Sequence, residues 1–343
     1  MKAILYRNYG APDVLHSEDV EKPSPGDDEV LIRIRAAAAN PLDYHLMGGT
    51  YILRLMTGLF KPKPTRPGAD LAGEVEAVGR NVTRFRPGDA VFGGSRGAFA
   101  EYVCAREDRL ALKPANLTFD QAAALPVAGL TALQGLRDKG RIQPGQKVLI
   151  NGAAGGVGTF AVQIAKVFGA QVTGVCSTKS VDLVRSIGAD HVIDYTRDDF
   201  TRSAQRYDLI FDCVGNRPLT AYRRVMTPKG TFIACGVRPG GRWIGPLPSL
   251  LKLLVSSWFV SQNVVFFIAR IGTDDLIVLK ELIEANKVTP VIDRRYTLSE
   301  APEAVRYLKE GHARGKVVMT VEHDKGPQVE SARASRSSFS ASA

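Results

Sequence analysis

The sequence predicts an α/β fold in two parts, an all-β barrel-like half followed by a doubly wound parallel sheet. Three observations carry this expectation. Residues 1–125 read as short strands punctuated by turns. From about 127 to 271 strands and helices alternate. Within that stretch, the run Lys147-Val148-Leu149-Ile150-Asn151-Gly152-Ala153-Ala154-Gly155-Gly156-Val157-Gly158 takes a short apolar strand into a glycine-rich turn and out into a helix. The 343 residues suit about two domains.

The elements follow in order. Val30–Arg35 alternates apolar and charged residues like a half-buried strand, as does Gly73–Gly79. Arg86-Pro87-Gly88-Asp89 is a turn signal ahead of the strand Ala90-Val91-Phe92. Six strand candidates make up the second half: Val148–Asn151, Gln171–Cys176, His191–Tyr195, Asp208–Val214, Gly230–Gly236 and Val264–Ile268. The helix after the first presents Val157, Ala161, Ile164, Ala165 and Phe168 on one face. Beyond Asp274 come an amphipathic helix (Leu276–Asn286), a strand (Val288–Asp293), a second helix (Ala301–Glu310) and a closing strand (Lys316–Val321). The expected organisation is a first domain over residues 1–126, a dinucleotide-binding domain over 127–271, a return to the first domain over 272–323, and a tail over 324–343. That tail is rich in Ser, Ala and Arg, and its composition predicts disorder.

Composition narrows the class. Apolar and charged fractions are ordinary for a globular protein. Cys104, Cys176, Cys213 and Cys235 are widely spaced with no CxxC pair, so they read as small buried hydrophobes rather than a disulfide framework or a cysteine zinc site. The net charge of +10 fits a basic surface and an anionic cofactor, and no nucleic-acid-binding motif accompanies it. Met1–Tyr6 opens directly on a strand-like segment without signal or transit character, and a cytoplasmic location is the expectation.

The chemistry begins at Ala153-x-Gly155-x-x-Gly158. This is a variant of the dinucleotide fingerprint with alanine first, and Gly156 and Val157 lie inside it. Small residues let the backbone approach a pyrophosphate, and amides at the helix start point at the anion. About twenty residues on, where an NAD-preferring fold places a carboxylate, stands Val175-Cys176-Ser177-Thr178-Lys179-Ser180. Ser177 and Lys179 are the donors a 2′-phosphate requires, which favours NADPH, with Arg197 as a further candidate for the same phosphate.

Gly68-Ala69-Asp70-Leu71-Ala72-Gly73-Glu74-Val75-Glu76-Ala77-Val78-Gly79 resembles the barrel signature of medium-chain dehydrogenases/reductases. So do Arg86–Val91, Gly97-Ala98-Phe99-Ala100-Glu101-Tyr102-Val103 and Gly311-His312-Ala313-Arg314-Gly315-Lys316. Within that superfamily the chain resembles the zinc-free quinone oxidoreductase branch. The resemblance implies a GroES-like barrel, a Rossmann domain, and NADPH-dependent reduction of hydrophobic quinones or α,β-unsaturated carbonyls. The zinc enzymes carry Cys where this chain has Asn40, and Gly-His-Glu where it has Gly68-Ala69-Asp70, so no zinc is expected.

By the same resemblance, Tyr195 reaches the adenosine side, Val214-Gly215 lines the adenine, Gly236-Val237 offers backbone near the nicotinamide, and Thr131 and Lys316 join the cofactor contacts. Asn40-Pro41-Leu42-Asp43-Tyr44-His45 should face the cleft. Asn40 is expected to position nicotinamide ribose or substrate, Asp43 to order the local structure, and Tyr44 or His45 to donate to the developing oxyanion. The alternative to either ring is protonation by water. The resemblance also implies a homodimer through the edge strand Val264–Ile268.

Two apolar stretches remain, Tyr51–Phe60 and Trp243–Phe267. Lids over a bulky substrate, core or dimer packing, and, for the first, peripheral contact with a membrane are their alternative readings. Two other functions stay open: an NAD(P)-linked alcohol or aldehyde dehydrogenase, and a weakly catalytic nucleotide-binding protein associated with membrane or nucleic acid.

Overall fold

The computed structural model describes residues 1–49, 54, 55, 57–63, 65–235 and 262–323. Gly236-Val237, residues 51–53 and 56 of the Tyr51–Phe60 stretch, most of Trp243–Phe267, and the tail 324–343 lie outside the described residues.

The strands, in chain order, are β1 (Lys2–Leu5), β2 (His16–Asp19), β3 (Glu29–Ala39), β4 (Asp70–Val78), β5 (Ala90–Gly94), β6 (Tyr102–Arg106), β7 (Leu110–Leu112), β8 (Lys147–Asn151), β9 (Gln171–Cys176), β10 (His191–Asp194), β11 (Tyr207–Asp212), β12 (Met226–Ala234), β13 (Asn263–Phe266), β14 (Ile292–Thr297) and β15 (Lys316–Thr320). A seven-stranded sheet runs β14-β15-β3-β4-β5-β7, with β6 also on β3. β3 is its spine. One half, Glu29–Arg33, pairs with β6, and the other half, Ala36–Ala39, pairs antiparallel with β15. The four consecutive alanines are buried, and side chains this small let β3 lie under helices on one face and barrel core on the other. The C-terminal strands β14 and β15 thus complete the sheet begun by the N-terminal half.

The second sheet is six-stranded and entirely parallel in its pairings, in the order β10-β9-β8-β11-β12-β13. β8, β9 and β11 are nearly continuous apolar runs because helices cover both faces. One face packs Val148, Ile150 and Phe211 against Leu133, Phe160 and Ile164. The other packs Leu149 and Ile210 against Tyr222 and Phe232. Strand order reverses between β8 and β11, and the carboxyl ends of strands flanking such a reversal form the ligand crevice of open α/β sheets.

Two features depart from the sequence expectation. The strand expected at Val288–Asp293 begins later, at Ile292. Pro290 has no N–H to give a ladder and Val288 is a buried core residue, so pairing starts beyond them. The all-β half also holds helices, among them Pro41–Gly48 and Phe119–Ala123. Each of these two opens on a capping box, Asn40 with Asp43 and Thr118 with Gln121, a signal that was legible in the sequence.

Candidate active site

The glycine-rich turn leaves β8 at Gly152, whose φ of +82° is left-handed. A Cβ on Gly158 would lie 2.0 Å from the Gly152 carbonyl oxygen, so only glycine lets the helix Gly156–Val167 pack this closely on the turn. Gly155 is that helix's N-cap, and no side chain caps it. A Cβ there would meet only the Gly152 oxygen, at 3.4 Å. The first backbone N–H groups of the helix therefore face a gap that a pyrophosphate can fill. Ala153 is buried, and its N–H donates to the Val175 carbonyl of β9 at 3.0 Å. Val157 packs partly buried on the sheet core.

Across the strand-order reversal, the buried Asp212 carboxylate ends β11. Its Oδ1 accepts from the N–H groups of Val214 (3.0 Å) and Gly215 (3.1 Å) and from Asn151 Nδ2 (2.9 Å). Gly215 has a φ of +69°, and a Cβ on Gly152 would lie 2.7 Å from Val214 Cγ2, so the Val214-Gly215 loop lies against the glycine turn. Sequence reading passed over Asp212 and Asn151, which tie the two loops together from below. Their signal was polar residues closing two apolar strands.

At the end of β9, Ser177 is half-buried and Lys179 exposed, and Tyr195, half-exposed, follows β10. The structure adds a carboxylate that the sequence spacing did not reveal. Asp194, the last residue of β10, pairs in register with Cys176. It accepts from Thr178 Oγ1 at 2.5 Å and Thr196 Oγ1 at 2.7 Å, with Arg197 Nε at 3.6 Å. The Thr178 and Thr196 hydrogen bonds, with Arg197 nearby, hold Asp194 below the usual carboxylate range, so it stays anionic but covered by donors. Lys179 takes part in none of the ion pairs found among the described residues.

The barrel contributes a buried polar junction. Lys316 Nζ donates to Asn40 Oδ1 (2.7 Å) and to Asp70 Oδ2 (3.0 Å). Asn40 Nδ2 donates to Asp70 Oδ2 (3.0 Å) and the Ala38 carbonyl (3.2 Å). The side chains of Lys316 and Asp70 are 4% and 0% exposed, which makes this a fully desolvated ion pair. The Lys316 stem passes the helix start, since a Cβ on Gly156 would lie 3.1 Å from Lys316 Cδ. Asp70 Oδ1 also accepts from the Val127 N–H (2.8 Å), at the first turn of the helix Pro126–Gln134 that carries Thr131. The Thr131 hydroxyl donates within that helix, to the Val127 carbonyl at 2.6 Å. The junction thus gathers Asn40, Thr131's helix, Gly156 and Lys316, and adds Asp70.

Asp43 accepts from the N–H groups of Asn40 (2.8 Å) and Gly68 (3.1 Å). Burial outweighs these two bonds and lifts its carboxyl to about 7. Its neighbours Tyr44 and His45 are half-buried, with ring centroids 4.5 Å apart. Burial pushes the Tyr44 phenol up and the His45 imidazole down, so both rings are neutral donors at neutral pH. A wide polar hollow elsewhere, between Arg84, Asp108, Gln134 and Asp275, contains none of the expected site residues.

At the positions where the zinc branch carries Cys and Gly-His-Glu, Asn40 is an amide already bonded on both sides, Ala69 has no donor side chain, and Asp70 is neutralised by an ammonium 3.0 Å away. Among the described residues no group of three His, Cys, Asp or Glu side chains gathers to hold a metal ion.

Comparison with known proteins agrees with this geometry. The family described as "Alcohol dehydrogenase GroES-like domain" matches residues 26–115, and "Zinc-binding dehydrogenase" matches residues 187–319. A chloroplastic quinone-oxidoreductase, QR1, of Triphysaria versicolor is 36% identical over 93% of this chain and 98% of its own length. A chloroplastic NADPH-dependent alkenal/one oxidoreductase of Arabidopsis thaliana is 35% identical over 93% of this chain and 79% of its own. The solved quinone oxidoreductase of Coxiella burnetii superposes with a TM-score of 0.83 at 31% identity, over 94% of this chain and 99% of that one. With its barrel, its parallel sheet and its glycine turn in place, the chain belongs to the quinone oxidoreductase group of the medium-chain dehydrogenase/reductase superfamily.

Proposed function

We propose that this chain is a zinc-independent, NADPH-dependent reductase of hydrophobic quinones or α,β-unsaturated carbonyl compounds. The observation that carries the proposal is the uncapped helix start at Gly155–Gly158, set beside a junction in which the Lys316 ammonium bridges Asn40 and Asp70. Likeness to a quinone oxidoreductase and to an NADPH-dependent alkenal/one oxidoreductase supports it.

When bound, NADPH supplies the hydride that an electron-poor carbon accepts. The residues around it bind and orient. The helix start and glycine turn receive the pyrophosphate. Ser177 and Lys179 receive the 2′-phosphate, with Asp194 screened by Thr178, Thr196 and Arg197. Val214 and Gly215, held by Asp212, form the adenine side. Asn40 has both amide hydrogens committed and its carbonyl oxygen held by Lys316, so it acts by fixing Lys316 and the cleft wall. Tyr44 and His45 are the neutral donors placed next to it on the helix Pro41–Gly48, and one of them meets the oxyanion.

The test is NADPH oxidation with a para-quinone and with an enone, each in a metal chelator. Turnover is expected to survive chelation and to prefer NADPH to NADH. Lys179→Glu should raise the KM for NADPH on the order of tenfold or more and leave NADH nearly unchanged. Loss of turnover in chelator would remove the zinc-independent reading, and equal effects on both cofactors would remove the phosphate assignment.

A further inference from the structure

Cys213 and Cys235, which sequence spacing left as two unrelated hydrophobes, face each other. They follow the register pair Asp212↔Ala234 at the carboxyl ends of the adjacent parallel strands β11 and β12. The backbone is drawn together there, with the Cys235 N–H donating to the Asp212 carbonyl at 3.0 Å. The two sulfurs lie 3.5 Å apart, and neither residue is fully buried. Adjacent strands stand roughly 4.8 Å apart, and a disulfide accepts Cα separations from about 4.4 Å upward, so the backbone already suits the bond. Cys104 and Cys176 have no comparable partner among the described residues.

The pair lies on the cofactor seat. Cys213 sits between Asp212 and Val214, and its Cβ lies 3.4 Å from where a Cβ on Gly152 would be. The N–H of Cys213 donates to the Asn151 carbonyl at 3.0 Å, at the mouth of the glycine turn. Closing the sulfurs from 3.5 Å to about 2.05 Å re-aims the Cys213 side chain, whose Cβ lies against the glycine turn, and so alters the wall of the cofactor seat.

We propose that Cys213 and Cys235 form a redox-active dithiol whose closure to a disulfide weakens binding of the cofactor. The oxidant is a small-molecule disulfide. One cysteine thiolate attacks it, forming a mixed disulfide and releasing one thiol. The second cysteine then attacks the protein sulfur of that mixed disulfide and releases the other thiol. Two protein S–H bonds and the oxidant's S–S bond break, one protein S–S bond and two S–H bonds form, and the two electrons and two protons leave on the two released thiols. The Cys235 thiol, and then burial, hold Cys213 protonated well above the ordinary thiol range, so closure is slow at neutral pH.

The inference rests on the nucleotide seat proposed above, and the experiment keeps the two apart. The full chain is incubated with oxidised glutathione or with dithiothreitol, digested, and mapped by mass spectrometry. NADPH binding to each form is followed by fluorescence titration. The expected result is a Cys213–Cys235-linked peptide lighter by two hydrogens, with a several-fold weaker Kd for NADPH that dithiothreitol restores. Cys213→Ser and Cys235→Ser should each abolish the response to glutathione. Absence of the linked peptide, or a linked protein with an unchanged Kd, overturns the proposal while leaving the seat intact. Reduced protein that ignores NADPH overturns the seat itself, and the proposed coupling falls with it.

Discussion

Asp43 sets two opposing forces on one carboxyl. Two backbone N–H groups favour its anion, and burial favours its acid form, which wins by lifting it to about 7. A carboxyl raised on folding takes up a proton as the chain folds. Its contribution to stability is full below its unfolded value of about 4 and is lost as pH rises through about 7. Asp43→Asn removes this titration and leaves one of the two N–H donors facing an amide hydrogen, a cost of about 1–3 kcal/mol. Urea unfolding should show the variant less stable at pH 5, with the gap to wild type closing or reversing at pH 8. A gap constant across that range would mean Asp43 does not titrate there. The residue's place at the cap of the first helix was readable from Asn40-Pro41-x-Asp43. Its pairing with Gly68 was not, because that contact spans residues that only the barrel brings together. Asp194 escaped for the same reason, since it reaches Thr178 from the neighbouring strand. So did the pairing of Lys316 with Asp70, 246 positions apart in sequence.

At the scale of elements, the glycine turn separates folding from binding. Gly155→Ala places its methyl at ordinary contact distance, 3.4 Å from the Gly152 oxygen, so stability should stay within about 1 kcal/mol. The methyl stands in the gap at the helix start, however, and NADPH affinity should fall at least tenfold, a change of about 1.4 kcal/mol. Gly158→Ala collides with backbone at 2.0 Å and should lose roughly 1–3 kcal/mol of stability as well. Thermal melting beside NADPH titration distinguishes them, and a Gly155→Ala variant that binds as wild type would displace the pyrophosphate from this turn. The strands around the turn were legible because buried parallel strands are short apolar runs bounded by glycine and polar residues, as Lys147–Asn151 and Gln171–Cys176 are. β14 was harder to place. Its Arg294 and Arg295 give it no apolar rhythm, and its position follows from pairing with β15.

At the scale of the whole molecule, the barrel sheet and the parallel sheet share one apolar core, where Ala36, Ala72 and Phe92 cluster with Leu133, Ile150 and Phe160, and the desolvated Lys316–Asp70 pair lies near the start of the nucleotide-turn helix. Lys316 belongs to the barrel sheet and lies over the helix that starts the parallel sheet's nucleotide turn. Lys316→Met leaves Asp70 buried without its cation, and removing one partner of such a pair costs about 3–5 kcal/mol. Denaturant midpoints should fall accordingly, and Asp70→Asn in the same chain should recover part of the loss. A change below about 1 kcal/mol would show the pair to be hydrated rather than buried. The net charge of +10 bears on partners rather than architecture, and no helix among the described residues is long and apolar enough to cross a membrane. Asp70 also grips the first turn of Pro126–Gln134 through the Val127 N–H. Both charges belong to the barrel sheet, so separating the halves at that spot would give up the Val127 N–H bond and let water reach the pair while the pair itself stayed together.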